Sequence, residues 1–419
     1  MPLSNPFRMC AAFALAMVMA AGLSAPSAAG APRGPAQDSV LTPVTASLVT
    51  RPAPFRALDG RIHFSYELLV TNVAVPSGTI RLERIEVTDS ASGKAFYTLQ
   101  GRKLAASANP VDRLSPGAEG KDNPSPAPPV LAGASQWIIW TDFALAPGLA
   151  APGALQHRIT GSFQAAAEDA APAPFTALVA ATPAARQAPV ALEAPVRPGS
   201  WYANEACCDD THHRRAALPA GGALLVPQRF AVDWFLLGPN RQLWNGDPGR
   251  LESYTSYRQP AVAAAGGTVV AARDGIADNP PMKPPASPAA EDSVGNHVII
   301  QTGSGRYLLY AHLSRGSIKV SKGDKVEPGR LLALIGNSGY TFVPHLHFQV
   351  MTSSAILSDS TPYTFRDFDV TGRVRPRIWD DNIGQQKTGV LPVTPTPFDG
   401  PHRNEAPLDR YIIRFGSQP

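Results

Sequence analysis

The chain has 419 residues, of which 44% are hydrophobic and 17% are charged, a length and composition that exclude a small disulfide-stapled module and a fully disordered chain. Its 37 basic and 33 acidic residues leave a formal net charge of +4, and no basic run interleaved with aromatic residues occurs, which argues against nucleic acid as a partner. The 43 prolines, roughly double the usual share of about 5%, argue against a long helical bundle.

The N-terminus has the pattern of a secretory signal peptide. Arg8 precedes an apolar run over residues 9–23, and the small residues of Ser27-Ala28-Ala29 follow it. We expect cleavage after Ala29, with Ala31 as the alternative position, and an exported protein, either periplasmic or secreted. No later segment approaches the roughly 18 apolar residues that a bilayer span requires, so no membrane span is expected after cleavage. The alternative is an uncut leader that anchors the chain.

From about residue 46 the sequence changes to short alternating strands. Residues 62–70, 79–87 and 136–141 alternate apolar with polar side chains, and turns rich in Pro, Gly and Asp separate them. This pattern predicts a small antiparallel β-sandwich. The segment contains only isolated histidines, so it is interpreted as an accessory domain.

The second half of the chain predicts a further all-β domain. Its apolar segments are short and β-branched, Gly and Pro punctuate them, and none has a clean helical period. Two Ala/Pro-rich stretches indicate a lead-in and a linker. The predicted organisation is a signal peptide over 1–29, a lead-in over 30–45, a β-sandwich accessory domain over 46–176, a linker over 177–197, a second β domain over 198–365 and a C-terminal extension over 366–419.

Outside the leader, the chain has two cysteines, Cys207 and Cys208, and they are adjacent. Adjacent cysteines bridge each other only with backbone strain. They can form a loop disulfide in an oxidising compartment, stay free, or supply one metal ligand. We favour a loop disulfide or free thiols over metal ligation.

Histidines mark the candidate site. His345 and His347 are two residues apart in a predicted strand, so both imidazoles lie on one face of the sheet. Asp233 lies within an apolar strand, where burying an unpaired carboxylate costs several kcal/mol. It therefore needs a cation. Either it binds zinc together with imidazoles, or it forms an ion pair with Arg229 or Arg214.

Four segments of the second domain resemble the signature of a known family. They are Tyr-Ala-His-Leu at 310–313, Val-Ser-Lys-Gly-Asp-Lys-Val-Glu-Pro-Gly at 320–329, Gly-Asn-Ser-Gly at 336–339 and Pro-His-Leu-His-Phe at 344–348. They are similar to segments of the lysostaphin-type zinc metallopeptidases, which cut peptidoglycan cross-bridges, and the similarity covers about residues 267–351. The resemblance implies a groove formed by an antiparallel β-sheet and related to lipoyl-carrier barrels.

The resemblance also implies a role for each candidate residue. His347 and Asp233 would be zinc ligands, while His312 and His345 would flank the zinc-activated water without binding the metal. One of these neutral imidazoles would take the proton of the water. Most family members have a histidine four residues before the aspartate, but this chain has Arg229 there.

The first zinc ligand must then come from elsewhere in the chain. The run Thr-His-His-Arg-Arg-Ala at 211–216 resembles a subgroup in which this histidine lies about twenty residues before the aspartate. We expect His213, directly before Arg-Arg-Ala, to be the ligand in preference to His212. If neither histidine reaches the metal, the domain resembles degenerate, non-catalytic members that activate cell-wall hydrolases or act as scaffolds.

The sequence therefore predicts an all-β, exported zinc metalloendopeptidase with one zinc ion per chain. The resemblance implies stem or cross-bridge peptides of peptidoglycan as the substrate, and an isoelectric point near 9.0 is compatible with an anionic polymer such as the cell wall. The non-catalytic scaffold is the alternative. His297, at the start of a predicted strand, is interpreted as an edge or surface residue.

Overall fold

The computed structural model describes residues 41–74, 77–114, 128–166, 171–208, 210–285, 289–375 and 388–416. The described residues from Thr42 onward cluster as one unit. The predicted signal peptide and most of the predicted lead-in lie outside the described residues. Among the helices of the described part, none has the length and apolar character that crossing a membrane requires.

The first part of the described chain consists of two antiparallel sheets, called here the N-terminal sheets. Their elements are β1 Val44–Leu48, β2 Phe55–Arg56, β3 Ile62–Asn72, β4 Gly78–Asp89, β5 Ala95–Gln100, β6 Ala108–Pro110, β7 Val130–Leu131, β8 Gln136–Ala144, β9 Ala154–Ala165 and β10 Ala173–Pro183, with helix α1 Gly101–Ala106 and a 3₁₀ turn at Val111–Arg113. One sheet has the order β1-β3-β8-β6 and the other β10-β9-β4-β5, with β2 and β7 paired at their sides.

Alternation along the strands explains why these two sheets pack together. In β9, every second residue from Leu155 to Gly161 is buried, as a strand with one face in a core requires. Buried side chains from both sheets form one apolar cluster that includes Leu68 of the first sheet and Ile85 of the second. The two sheets therefore share a core.

The remaining strands form a sheet of twelve strands, called here the large sheet, and two small two-stranded sheets. The elements are β11 Val190–Leu192, β12 Gly199–Asn204, β13 Leu218–Ala220, β14 Ala223–Leu225, β15 Val232–Leu236, β16 Pro260–Val262, β17 Gly267–Arg273, β18 Asn296–Thr302, β19 Tyr307–Leu313, β20 Lys325–Val326, β21 Leu331–Leu334, β22 Leu346–Met351, β23 Tyr363–Val374, β24 Val393–Thr394, β25 Gly400–Glu405 and β26 Tyr411–Phe415, with helices α2 His212–Arg215 and α3 Ala290–Ser293 and a 3₁₀ turn at Leu251–Ser253.

The large sheet brings distant parts of the chain side by side. Its order is β11-β23-β26-β12-β15-β22-β19-β18-β17-β20. Near its middle, β15 pairs with β22 so that Asp233 lies opposite His347, and β22 pairs with β19 so that His347 lies opposite Ala311. Antiparallel pairing thus places the candidate residues of three strands next to one another.

The predicted all-β fold class is confirmed, but two of the predicted domain limits differ from the structure. Residues 177–197, where the Ala/Pro composition predicts a linker, contain the end of β10 and all of β11, which pairs in parallel with β23. The predicted boundary at 365/366 lies inside β23, and the extension adds β24, β25 and β26 to the large sheet. Neither Ala/Pro composition nor weak alternation reveals pairing with partners this far away in the sequence.

The interpretation of His297 as an edge or surface residue is wrong. Its strand, β18, lies between β17 and β19, and the residue is only 6% exposed. The ring is held by a hydrogen bond between Nδ1 and the carbonyl oxygen of Gly295, 2.9 Å apart. A polar residue at the start of a predicted strand suggests exposure, yet here the neighbouring strands cover it.

Candidate metal centre

All five predicted site residues converge on one face near the middle of the large sheet. Asp233 comes from β15, His347 from β22, His345 from the residue just before β22, His312 from β19 and His213 from helix α2. The four imidazoles are buried, and the Asp233 side chain is 13% exposed. The structure therefore brings together residues that span more than 130 positions of the sequence.

The carboxylate of Asp233 lies at the centre of the cluster. Its Oδ1 atom is 2.9 Å from Nδ1 of His347 and 3.5 Å from Nε2 of His213. Its Oδ2 atom is 3.3 Å from Nε2 of His345. One carboxylate thus faces three imidazole nitrogens.

Among the residues that the structure describes, two sets of three have ligand atoms within 4.8 Å of one another, and both include His347. One set is His213, Asp233 and His347, and the other is His312, His345 and His347. The rings of His312 and His345 have centroids 5.0 Å apart, and those of His213 and His347 are 4.9 Å apart. His347 therefore lies between two neighbouring groups of donors.

Backbone carbonyl groups fix three of the rings. In each case Nδ1 lies near a carbonyl oxygen: 3.2 Å for His213 and Glu205, 2.8 Å for His312 and Ser338, and 2.8 Å for His345 and Val343. Because a carbonyl oxygen only accepts hydrogen bonds, Nδ1 carries the proton in the neutral ring and Nε2 keeps its lone pair. This arrangement leaves three Nε2 atoms able to bind a metal or accept a proton.

Gln349 orients the fourth ring, and the sequence analysis missed it. Its Oε1 atom is 3.0 Å from Nε2 of His347, while Asp233 Oδ1 is 2.9 Å from Nδ1 of the same ring. Both oxygens only accept hydrogen bonds, so they hold the ring from its two sides, and a metal ion beside Asp233 would take Nδ1 while Nε2 donates to Gln349. Residue 349 lies two positions after His347 on the same strand face. The period-two argument that paired His345 with His347 could therefore have found Gln349 as well.

Burial and the central carboxylate determine the protonation of the cluster. Burial raises the pKa of Asp233, but the charges of His345 and His213 outweigh it and hold that pKa well below its usual value. Burial lowers the pKa of His213 to about 3, although the charge of Asp233 raises it. Burial, with the nearby His345 and His347, holds the pKa of His312 well below its usual value. Burial lowers the pKa of His345, but the charge of Asp233 outweighs it and raises that pKa above its usual value. The site thus combines an ionised carboxylate with neutral rings at His213 and His312.

The loop that carries His213 is held at both ends. Glu205, at the end of β12, accepts a hydrogen bond from the backbone N–H of His213 at 3.2 Å, in addition to the ring contact with its carbonyl oxygen. Thr211 caps helix α2 by accepting from the N–H of Arg214 at 3.2 Å. His212 is the neighbouring histidine in the chain, yet it belongs to neither of the two sets of possible metal ligands. Sequence analysis also missed Glu205, since nothing in its local pattern distinguishes it.

Cys207 and Cys208 are joined by a disulfide between β12 and α2. This agrees with the favoured alternatives, a loop disulfide or free thiols. A sulfur atom in a disulfide is not available as a thiolate ligand, so the cysteines do not add to the metal-type cluster in this state.

The alternative ion pair for Asp233 is wrong. Arg214 and Arg229 both pair with Glu67 of β3 instead, and Arg229 Nη2 is 2.6 Å from Glu67 Oε2. The need for a cation at Asp233 therefore points to the imidazole cluster.

Part of the sequence that forms this site is similar to a known protein family. Residues 252–358 match the profile of Peptidase family M23. The similarity to this family therefore covers about a quarter of the chain. Among curated relatives, lysostaphin of Staphylococcus staphylolyticus is 35% identical over 107 residues, which cover 25% of this chain and 19% of the relative. The peptidoglycan DD-endopeptidase ShyA of Vibrio cholerae is 44% identical over 57 residues, which cover 14% of this chain and 13% of that protein.

The match to the M23 family covers only part of the site. The matched segment contains His312, His345 and His347, whereas Asp233 and His213 precede it. The chain thus spans less than a fifth of the length of these two relatives. Among solved structures, the catalytic domain of lysostaphin from Staphylococcus simulans aligns with a TM-score of 0.22 and 20% identity, covering 39% of this chain and 87% of that one.

Proposed function

We propose that this protein is an exported, zinc-dependent endopeptidase that hydrolyses peptide bonds in the stem or cross-bridge peptides of peptidoglycan. The observation that carries the proposal is the convergence of His213, Asp233 and His347 beside two further buried imidazoles. The match of residues 252–358 to Peptidase family M23 and the similarity to a peptidoglycan endopeptidase support the reaction and the substrate class.

We assign the metal to His213, Asp233 and His347. Zinc bonds of about 2.0–2.1 Å in a tetrahedral site put ligand atoms about 3.4 Å apart. The distances from Asp233 Oδ1, 2.9 Å to His347 and 3.5 Å to His213, bracket that value. This set also supplies one negative charge to a buried dication, which the all-histidine set does not. The donor set therefore fits zinc, and the site offers one ion per chain.

The same fit explains why Arg229 can stand where most family members have a histidine. His213 approaches Asp233 from helix α2 instead of from the strand, and its ring is fixed by Glu205. A metal ligand needs only the correct position and an oriented ring, so a loop can supply it as well as a strand.

The remaining imidazoles are assigned to proton transfer. Zinc at this site would lower the pKa of a water molecule and polarise the scissile carbonyl. His345 and His312 lie beside the proposed ligands, and each turns Nε2 toward the site because its Nδ1 donates to a backbone carbonyl. Either ring is placed to accept a proton at Nε2 and then to donate it to the leaving amine. In the protonated state either ring also stabilises developing negative charge on the carbonyl oxygen.

Metal removal tests the proposed function. Purified residues 30–419 should contain about one zinc per chain and should release peptide fragments from peptidoglycan, detected by mass spectrometry as new amino termini. A chelator should abolish the release and added zinc should restore it. Full zinc occupancy without any cleavage would instead identify the non-catalytic scaffold, and cleavage that persists in metal-free protein would contradict the zinc assignment.

His213→Ala should weaken zinc binding by more than about tenfold, because the change removes one of three protein ligands. The adjacent His212→Ala variant is the matched control and should keep zinc affinity within about twofold of the wild type. Competition with a chromogenic chelator measures both. A loss of zinc from His212→Ala, with His213→Ala unaffected, would reverse the assignment of the first ligand.

A further inference from the structure

A buried ionic cluster links the N-terminal sheets to the segments that carry two of the proposed ligands. Its centre is Glu67 on β3, which is fully buried. Arg229 approaches it with two nitrogens, Nε at 2.8 Å from Oε1 and Nη2 at 2.6 Å from Oε2. Arg214 Nη1 contacts the same Oε1 atom. Both arginine side chains are at most 1% exposed.

We propose that Glu67 is a positioning residue for the metal centre: by holding Arg214 and Arg229, it fixes the segments that deliver His213 and Asp233. This inference rests on the proposed zinc site. It assigns to the N-terminal sheets a part in building that site, so the site is incomplete without them.

The connections along the chain are short. Arg214 directly follows His213 in helix α2, and Arg229 lies four residues before Asp233, just ahead of β15. A displacement of either guanidinium group therefore moves a ligand carried on the same short segment. Both planar guanidinium groups bind the same carboxylate, so neither has much freedom to shift. The contact therefore fixes the orientation of each arginine as well as its distance from Glu67.

Additional contacts on each arginine strengthen the connection. Arg214 also donates to the carbonyl oxygen of Tyr66 on β3 at 2.8 Å and to Asp142 on β8 at 2.8 Å. The second arginine, Arg229, also donates to Asp359 at 2.6 Å. The His213 segment is thus attached to two strands of the N-terminal sheets, and all three guanidinium nitrogens of Arg214 donate to them.

Apolar packing holds the same segment against the same sheet. The guanidinium groups of Arg214 and Arg215 each lie 4.9 Å from the ring centroid of Trp140 on β8. Ala217 and Val226, which follow α2, pack in one cluster with Trp140 and Ile138 of β8. The chain from α2 to residue 226 therefore rests on the N-terminal sheets and reaches the large sheet through His213.

The test uses the full exported chain with Glu67→Gln and a matched control, Glu86→Gln. Glu86 also lies on a strand of the N-terminal sheets and pairs with two arginines, Arg84 at 2.6 Å and Arg158 at 3.1 Å. Its strand, β4, belongs to the sheet that does not contain β3. Both substitutions remove one negative charge and keep the side-chain size, so they separate a general loss of stability from a loss of position.

Two readouts are measured on both variants. Zinc affinity should fall roughly tenfold in Glu67→Gln, the scale seen for outer-shell groups that orient ligands, and should stay within about twofold in Glu86→Gln. Hydrogen exchange of the metal-free protein over residues 210–217 should be faster in Glu67→Gln alone. Exchange in the metal-free protein reports on the position of residues 210–217 even if the wild type fails to bind zinc or to cleave peptidoglycan. The positioning role of Glu67 and the proposed zinc-peptidase function can therefore be rejected independently.

Asp142→Asn covers the case in which Glu67→Gln does not fold, because this carboxylate is 19% exposed and its loss leaves Glu67 in place. It should also weaken zinc binding and speed exchange over 210–217, to a smaller extent. A folded Glu67→Gln or Asp142→Asn protein with wild-type zinc affinity and wild-type exchange over this segment would overturn the proposal.

Discussion

Replacing His347 by alanine is expected to abolish zinc binding and peptide hydrolysis together. The ring is the only residue common to both sets of metal-type donors among the described residues, so no alternative set of three remains. The loss in zinc affinity should exceed the roughly 10–100-fold that outer-shell changes cost. Zinc content by elemental analysis and release of peptides from peptidoglycan measure the two effects.

His63→Ala is the matched control for this variant. His63 is also a buried imidazole paired with a carboxylate, with Nε2 3.0 Å from Asp59, but it lies on β3 of the N-terminal sheets. Its removal should leave zinc content at about one per chain. If His347→Ala kept its zinc while the wild type required zinc for cleavage, the ligand assignment would be wrong.

Replacing His345 by alanine is expected to lower kcat by about 10²–10⁴-fold while zinc stays bound. This is the usual contribution of a general acid–base group, and His345 is assigned to proton transfer, not to the metal. KM should change little, because the lost interaction belongs to the transition state. Steady-state hydrolysis of a soluble stem or cross-bridge peptide, together with zinc analysis, tests both statements.

His402→Ala is the control variant for His345→Ala. It also removes an imidazole that has an acidic partner, since Nδ1 of His402 is 2.7 Å from Glu405 on β25. It should leave kcat unchanged. If His345→Ala lost zinc as completely as His347→Ala, the metal would belong to the set His312, His345 and His347, and Asp233 would have another role.

Local spacing in the sequence was sufficient to predict many of the site residues. His345 and His347 share a face because a strand repeats every two residues, and that holds wherever the strand lies. Asp233 in an apolar strand signals a buried charge that requires a cation. The resemblance to the lysostaphin-type zinc metallopeptidases contributed the role of His312 and the displaced first histidine, and the structure places all five residues together.

The expectations that failed concern contacts between distant segments. The Ala/Pro stretch at 177–197 includes a strand of the large sheet, because its partner β23 lies more than 160 residues later in the chain. The partners of Arg214 and Arg229 could not be read locally either, since Glu67 is 147 and 162 residues away from them. Only the folded chain shows which carboxylate neutralises which guanidinium.

By itself, the sequence determined the β class, the resemblance of one segment to a known family and the chemical types of the site residues, because these depend on composition, period and short motifs. The tertiary structure decided the pairing of Asp233 with His347 through the register of β15 and β22. It also separated His213 from its neighbour His212 and connected the site to the N-terminal sheets through Glu67. The physical reason is that side-chain direction along a strand is local, whereas register, burial and charge neutralisation are set by segments that meet only when the whole chain packs.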